Sequence, residues 1–164
     1  MNSVNIALLG LGTVGSGVKN ILHDNRELIE KRLFKKTGKN VKINIKKILV
    51  KNLSKHKDID QNIITDDFND IAGDDSIDIV VELIGGNDVA TNYILESLKR
   101  KKHVVSANKM AIAYNSEKIY LCAKENNVSF MYEASVAGTI PVIRVIEDSL
   151  TANNIYKISG IING

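Results

Sequence analysis

The chain has 164 residues, of which 44% are hydrophobic and 25% are charged, and its formal net charge is +3. This length suits one domain, or one domain and the beginning of another, and the hydrophobic content excludes a disordered or low-complexity chain. No apolar stretch approaches the roughly 18–20 residues that cross a bilayer, and a single cysteine excludes an internal disulfide, so we expect a cytoplasmic protein without a membrane segment.

Basic residues are concentrated near the N-terminus. Residues 1–57 carry 13 basic and 3 acidic side chains, whereas residues 58–164 carry 9 basic and 16 acidic ones. The nine lysines from Lys35 to Lys57 are typical of a solvated face or of a site for a polyanion. Because arginine is scarce and no aromatic residues interleave with the lysines, we expect no nucleic-acid partner.

Short apolar runs alternate with longer amphipathic stretches along the chain, which predicts βαβ units and a parallel sheet. We expect strands at Val4–Leu9, Val41–Val50, Ile77–Ile84, Val104–Ser106 and Ser129–Glu133. We expect helices at Thr13–Leu22, Asn25–Lys35, Phe68–Ile71, Ala90–Lys101, Ser116–Asn126 and Val142–Leu150. Residues 52–66 are predicted to form a loop, and Ile155–Ile162 has the pattern of a further strand.

A glycine pattern of the form G-x-G-x-x-G follows the first strand and opens the first helix, at Gly10, Gly12 and Gly15. Gly10 permits a tight turn, Gly12 lets a pyrophosphate approach the backbone, and Gly15 lets the helix pack closely on the strand. The helix N-terminus then offers unpaired N–H groups to phosphates. The alternative is a glycine-rich turn without a ligand. The context favours an α/β fold of the Rossmann type over residues 1–150, doubly wound, with a mostly parallel sheet and helices on both faces.

The end of the second predicted strand indicates the choice of cofactor. NAD-selective sites usually place an acid there for the ribose hydroxyls, but this chain reads Val50-Lys51-Asn52. Lys51 stands where a cation can neutralise a 2′-phosphate, with Lys55 and Lys57 in the same loop, which favours NADP over NAD or tolerance of both. A solvated Lys51 without a ligand is the alternative.

The strand predicted at Ile77–Ile84 should lie beside the first strand, where the strand order reverses, so that its end borders the cofactor crevice. Backbone at Ile84 and Gly85 can approach the cofactor there. Glu82 is unusual in so apolar a run, and it is either a buried acid satisfied by backbone donors or a functional carboxylate.

Two further candidates follow predicted strands at the same edge of the sheet. Lys109 can hold a reacting oxygen electrostatically or move a proton, although it is one of 18 lysines. Glu133 can bind a hard cation together with nearby backbone carbonyls, or it can cap backbone N–H groups of a turn.

Together these segments resemble one known family, homoserine dehydrogenase, in its N-terminal NAD(P)-binding domain. The first matching segment, Ile6–Gly15, is shared by many dehydrogenases, whereas four later ones are specific in combination. These four are Val80–Gly86, His103–Lys109, Tyr132–Gly138 and Gly160–Gly164.

The resemblance implies an NAD(P)-dependent interconversion of L-homoserine and L-aspartate 4-semialdehyde, a step toward threonine, methionine and isoleucine. It implies that Thr13 and Val14 bind the cofactor, that Lys51 contacts a 2′-phosphate, and that Lys109 lies between nicotinamide and substrate. It further implies a sodium site, formed by Glu133, Val136, Gly138 and Ile140.

In this family the chain continues into a substrate-binding and dimerisation domain. We therefore expect residues 151–164 to begin the connection to that domain, which is absent here, and expect the full-length enzyme to be a homo-oligomer. The alternatives are another amino-acid-pathway dehydrogenase on the same domain, or a cofactor-sensing domain without catalysis.

Overall fold

A computed structural model describes residues 2–138 and 140–161. Its strands are β1 (Asn2–Leu9), β2 (Val41–Leu49), β3 (Ile64–Thr65), β4 (Ile79–Glu82), β5 (His103–Ser106) and β6 (Phe130–Met131). Its helices are α1 (Thr13–Asp24), α2 (Arg26–Thr37), α3 (Asn69–Ala72), α4 (Asp88–Lys99), α5 (Lys109–Glu125) and α6 (Val142–Arg144), and α6 continues as a π-helix over Val145–Ser149. Short 3-10 turns occupy Leu53–Lys55 and Glu133–Ser135.

The six strands form one sheet in the order β3-β2-β1-β4-β5-β6, and every pairing is parallel. Strands β2 and β3 are added on one side of β1, and β4, β5 and β6 are added on its other side. The carboxyl ends of β1 and β4 therefore border a crevice at the point where strand order reverses. This confirms the predicted doubly wound parallel sheet.

The core lies on both faces of the sheet, because alternate residues of a strand point to opposite sides. On one face Ala7 and Leu9 pack with residues of α4 and α5 such as Ile94 and Ile119. On the other face Leu8 belongs to a cluster that α1 partly covers. Helices on both faces were predicted and are confirmed.

Helix α5 begins seven residues before its predicted start. Asn108 precedes it, and the Asn108 side-chain oxygen accepts hydrogen bonds from the N–H groups of Met110 and Ala111. This cap satisfies donors that a helix start otherwise leaves unpaired, so Lys109 becomes the first helical residue. The predicted start at Ser116 is wrong.

Two other predicted stretches differ from the structure. The predicted loop over 52–66 contains the 3-10 turn at Leu53–Lys55 and the two-residue strand β3. The described residues of the β-like stretch 155–162, namely 155–161, are exposed and form no strand; Ile162 lies outside the described residues. A parallel or antiparallel partner is needed to hold a strand, and no strand of the sheet pairs with this stretch in the described ranges. The division of the chain at residue 150 stays a prediction.

Within the described ranges, no helix is both long enough and apolar enough to cross a membrane.

Candidate cofactor-binding site

The turn from β1 to α1 requires glycine at Gly10. Its φ angle is +101°, a left-handed conformation that side chains rarely adopt. A β-carbon there would also lie 3.0 Å from Cγ2 of Ile84 and 3.1 Å from the carbonyl oxygen of Leu83. The Gly10 N–H donates to the carbonyl oxygen of Leu49 at 2.9 Å, so this turn is held against the ends of both β2 and β4.

Helix α1 presents free donors at its N-terminus. Gly12 precedes the helix without a side-chain cap, and a β-carbon on Gly12 would meet nothing within 4 Å. Within residues 2–138 and 140–161, no acceptor pairs with the N–H groups of Thr13, Val14 and Gly15. Open space before unpaired helix donors is the geometry that binds phosphate.

A cavity of about 1070 Å³ extends from this turn across the carboxyl ends of the strands. Five residues predicted to bind a cofactor line it, namely Gly10, Gly12, Lys51, Ile84 and Gly85. The others do not line it: Thr13 and Val14 are exposed on the first turn of α1, Gly15 is buried behind the turn, and Lys109 is exposed at the start of α5.

Charged side chains of the loop after β2 line one end of the cavity. Lys51, Lys55, His56 and Asp66 all line it, whereas Lys57 does not. The Asn52 side-chain oxygen accepts from the Ser54 N–H at 3.0 Å and from the Ser54 hydroxyl at 2.7 Å. This turn leads the chain back, which brings Lys55 and His56 to the cavity beside Lys51.

Sequence reasoning missed His56 and Asp66 as lining residues. His56 follows the short 3-10 turn, and Asp66 follows β3, which lies beside β2 in the sheet. The available signal was the Asn-x-Ser pattern at Asn52, which is typical of a local turn that redirects the chain.

Glu82 is fully buried at the end of β4. Its carboxylate accepts from the Ile84 N–H at 2.9 Å and from the Ser106 hydroxyl at 2.6 Å. The prediction of a buried acid satisfied by backbone donors is therefore only partly right, because a side-chain hydroxyl supplies the shorter bond. The other possibility, a functional carboxylate, is addressed below.

Lys109 is linked to the glycine loop after β4 through its neighbour Asn108. The Asn108 side-chain nitrogen donates to the Gly86 carbonyl oxygen at 2.7 Å. The backbone that carries Lys109 is thus tied to the residue following Gly85, while the Lys109 side chain itself is exposed to solvent.

Glu133 caps the first turn of α6. Its two carboxylate oxygens accept from the N–H groups of Ile143 and Arg144, each at 3.0 Å. This is the capping role that the sequence left open beside cation binding. Across the described ranges, no group of three or more His, Cys, Asp and Glu side chains is placed to hold a metal ion.

The other three predicted sodium ligands, Val136, Gly138 and Ile140, lie in the turn between Glu133 and α6. Gly138 has φ +61°, and both Gly138 and Ile140 are exposed. In the described part of the chain, no N–H group donates to the carbonyl oxygens of Val136 and Gly138, whereas the Ile140 carbonyl accepts from Val142 N–H at 2.8 Å.

Comparison with known proteins gives consistent matches. A family model described as homoserine dehydrogenase, NAD binding domain, matches residues 10–133. The homoserine dehydrogenase of Bacillus subtilis (strain 168) is 40% identical over 166 residues, which cover 100% of this chain and 37% of that protein. This chain therefore spans little more than a third of the length of the curated relatives it matches.

Solved structures agree in fold. A homoserine dehydrogenase from Thiobacillus denitrificans superposes with a TM-score of 0.82 at 37% identity, over 93% of this chain and 34% of that one. A hyperthermophilic archaeal homoserine dehydrogenase, solved in complex with NADPH, superposes with a TM-score of 0.70 over 88% of this chain and 48% of that one. Its sequence identity is 22%, so this second match concerns the fold alone.

Proposed function

The chain belongs to the homoserine dehydrogenase family, whose NAD-binding domain it forms, and on that premise we propose the reaction it serves. The reaction is the NAD(P)-dependent interconversion of L-homoserine and L-aspartate 4-semialdehyde, carried out by the full-length enzyme. This chain corresponds to a little over a third of the length of its relatives, so we propose turnover for the full-length enzyme and not for this chain alone.

The observation that carries the proposal is the open helix start at the reversal of strand order. The N–H groups of Thr13, Val14 and Gly15 are unpaired in the described part of the chain, and the space beside Gly12 is open. A dinucleotide diphosphate bound here would accept from these donors and would be favoured by the positive end of the helix dipole. The cavity then continues along Ile84 and Gly85 in one direction and toward Lys51 in the other.

We propose NADP as the preferred cofactor. The 2′-phosphate would lie at the end of the cavity lined by Lys51 and Lys55. The end of β2 carries no carboxylate for ribose hydroxyls, and Asn52 uses its side-chain oxygen within its own loop. The carboxylate that lines this end of the cavity, Asp66, follows the neighbouring strand β3. Two lysines within one cavity end favour the doubly charged phosphate over a ribose hydroxyl.

In the chemical step, this domain would orient the reactants and place charge. The bound nicotinamide cofactor supplies the hydride donor or acceptor. Backbone at Ile84 and Gly85 would border the nicotinamide end, and the Lys109 amine at the start of α5 would hold the substrate oxygen and exchange a proton with it.

A sodium ion at Glu133, Val136, Gly138 and Ile140 is a further part of the proposal. The donor set consists of hard oxygen atoms, which suit such a cation. Each Glu133 oxygen accepts one N–H bond and so keeps a lone pair. Bound sodium would then stabilise the contact between Glu133 and α6.

Sodium binding can be tested by thermal unfolding. We expect a higher unfolding temperature in NaCl than in choline chloride, and no such difference for Glu133→Gln.

Fluorescence titration of the chain with NADPH and NADH tests cofactor binding. We expect Lys51→Ala to weaken NADPH binding by about tenfold and to leave NADH binding unchanged, since only NADPH carries the 2′-phosphate. Lys57→Ala is the matched control, because Lys57 is exposed in the same loop but does not line the cavity. Equal effects of both variants would contradict the phosphate role of Lys51.

Turnover is tested in the full-length protein with L-homoserine and NADP. We expect Lys109→Ala to lower kcat by at least about 100-fold, the lower range for loss of a proton-transfer group. Lys124→Ala, an exposed lysine near the other end of α5, is the control. Near-normal turnover of the Lys109 variant would remove it from the reaction.

The proposal also covers the localisation and the oligomeric state of the full-length enzyme. We infer a cytoplasmic homo-oligomer, since the single cysteine of this chain gives no disulfide framework and the family resemblance implies a dimerisation domain in the full-length enzyme. Size-exclusion chromatography of the full-length protein tests the oligomeric state.

A further inference from the structure

Three polar side chains are buried together where β4 and β5 end. Glu82 and Ser106 are fully buried, and Asn108 is 5% exposed. Glu82 and Ser106 face each other as register partners in the pairing of β4 with β5. Asn108 follows two residues after Ser106 and caps α5.

Hydrogen bonds connect these three residues, and the donor and acceptor of each bond can be assigned. The Ser106 hydroxyl donates to Oε2 of Glu82 at 2.6 Å and accepts from the Asn108 N–H at 3.0 Å. Oε1 of Glu82 accepts from the Ile84 N–H at 2.9 Å and from the Asn108 side-chain nitrogen at 3.5 Å. The hydroxyl donates its one hydrogen to the Glu82 carboxylate and accepts from the Asn108 N–H through a lone pair, so Ser106 links Glu82 to the backbone of Asn108.

Asn108 extends these bonds in two directions. Its side-chain oxygen accepts from the N–H groups of Met110 and Ala111, each at 3.1 Å, which fixes the first turn of α5. Its side-chain nitrogen donates to the Gly86 carbonyl oxygen at 2.7 Å. One buried carboxylate is therefore connected both to the loop at 84–86, which borders the cavity, and to the helix turn that begins with Lys109.

Hydrogen bonds satisfy this buried carboxylate. The strand around it is apolar, and burying a carboxylate is costly unless hydrogen bonds compensate. Among the ion pairs of the described residues, none involves Glu82. An apolar side chain at this position would fill β4 without any need for Ser106 or Asn108.

We propose that Glu82 is a positioning residue. Through Ser106 and Asn108 it sets the backbone of Ile84–Gly86 against the cofactor and holds the start of α5, and with it Lys109, at the distance that the reaction needs. This inference rests on the proposed function, since it assigns Lys109 to the reaction.

Glu82→Gln tests the proposal with almost no change in size. Glutamine has one acceptor oxygen, so the Ile84 N–H and the Ser106 hydroxyl cannot both keep their partner. Because a small misplacement of a reacting group is costly, we expect kcat of the full-length enzyme to fall about 10- to 100-fold. KM for homoserine should change less than threefold, since the proton exchange proposed for Lys109 takes place in the transition state rather than in the bound substrate.

Ser106→Ala removes the middle of the connection and guards against a folding failure of the first variant. The double variant should lose no more than the more damaging single variant, because both interrupt one connection. Ser97→Ala is the matched control. Ser97 is also a fully buried serine, but its hydroxyl donates to the Tyr93 carbonyl oxygen within α4.

Amide hydrogen exchange of the full-length protein supplies a readout that does not depend on turnover. We expect Glu82→Gln to increase exchange at Ile84, Met110 and Ala111 by at least tenfold, and Ser97→Ala to leave these three amides unchanged. Increased exchange together with the loss of kcat supports the proposal.

Either of two results would overturn it. Unchanged exchange at Met110 and Ala111 would show that Glu82 does not hold the start of α5. A kcat no lower than that of Ser97→Ala would show that the connection has no part in the reaction. If the unsubstituted full-length protein does not oxidise homoserine, the proposed function itself fails. The exchange data do not depend on turnover, so they still show whether Glu82 holds the start of α5.

Discussion

Gly10 and Gly15 are in such close contact that a β-carbon on Gly15 would overlap the carbonyl oxygen of Gly10. The start of α1 therefore rests directly on the turn that precedes it. We expect Gly15→Ala to lower the free energy of unfolding by about 2–3 kcal/mol, because the turn and the helix must separate to admit the methyl group. Urea unfolding measures this change, and a loss below about 0.5 kcal/mol would show that the helix shifts freely.

Gly12→Ala should leave stability nearly unchanged but weaken cofactor binding. The added methyl group meets no protein atom, so the free energy of unfolding should change by less than about 1 kcal/mol. The methyl group would occupy the space before the free N–H groups of α1, and NADPH should bind at least about tenfold more weakly for lack of room. Fluorescence titration checks this; unchanged affinity would mean that the diphosphate does not approach Gly12.

The Asp74 carboxylate should make stability depend on pH in the acid range. The Ser76 hydroxyl, at 2.6 Å, and secondarily the Lys46 ammonium lower the pKa of Asp74 from its usual 3.8 to about 2. A carboxyl with a lowered pKa in the folded state stabilises the protein above its unfolded value, and this contribution is lost as the pH falls from about 4 to 2.

We therefore expect Asp74→Asn to cost about 1 kcal/mol at pH 7, since the side chain is partly open to solvent, and to cost only a small fraction of that at pH 2, where about half of the folded-state carboxyl is protonated. Urea unfolding at a series of pH values measures the difference. Asp75→Asn, at an exposed neighbouring position, is the control and should show no such dependence. A cost for Asp74→Asn that is equal at pH 7 and pH 2 would contradict the assignment.

Cys122 should react slowly with thiol reagents. It is 8% exposed, and burial raises the pKa of its thiol, which disfavours the reactive thiolate. We expect labelling by a disulfide reagent at pH 8 to be at least about 100-fold slower in the folded chain than in urea. Since it is the one cysteine of the sequence, the rate needs no correction for other thiols. Comparable rates in the two states would place Cys122 at the surface.

Most of the fold could be predicted because its signals are local. The run Val4–Leu9 is apolar except for Asn5, as is typical of a strand buried on both faces, and the glycines after it require a particular turn. The position of β4 beside β1 then follows from the way that doubly wound sheets reverse. These features place Gly10, Gly12, Ile84 and Gly85 at one cavity without knowledge of any contact.

The rest depends on long-range contacts or on single side chains. A two-residue strand such as β3 has no periodicity, and β2 alone holds it in the sheet. Helix α5 starts at Lys109 because one asparagine caps it, not because its apolar spacing demands it. His56 reaches the cavity through the folded path of its loop, which the sequence indicates only by a turn at Asn52.

The central position of β1 has a consequence for how the chain folds during synthesis. Residue Ile6 pairs with Ile79, so one side of the first strand has no neighbour until the fourth strand has been made. At ribosomal rates of about 5–20 residues per second, the intervening stretch takes roughly 4–15 s to emerge. During that interval an apolar strand edge stays unpaired, which makes this segment a natural target for chaperones and a point of aggregation when translation is slow.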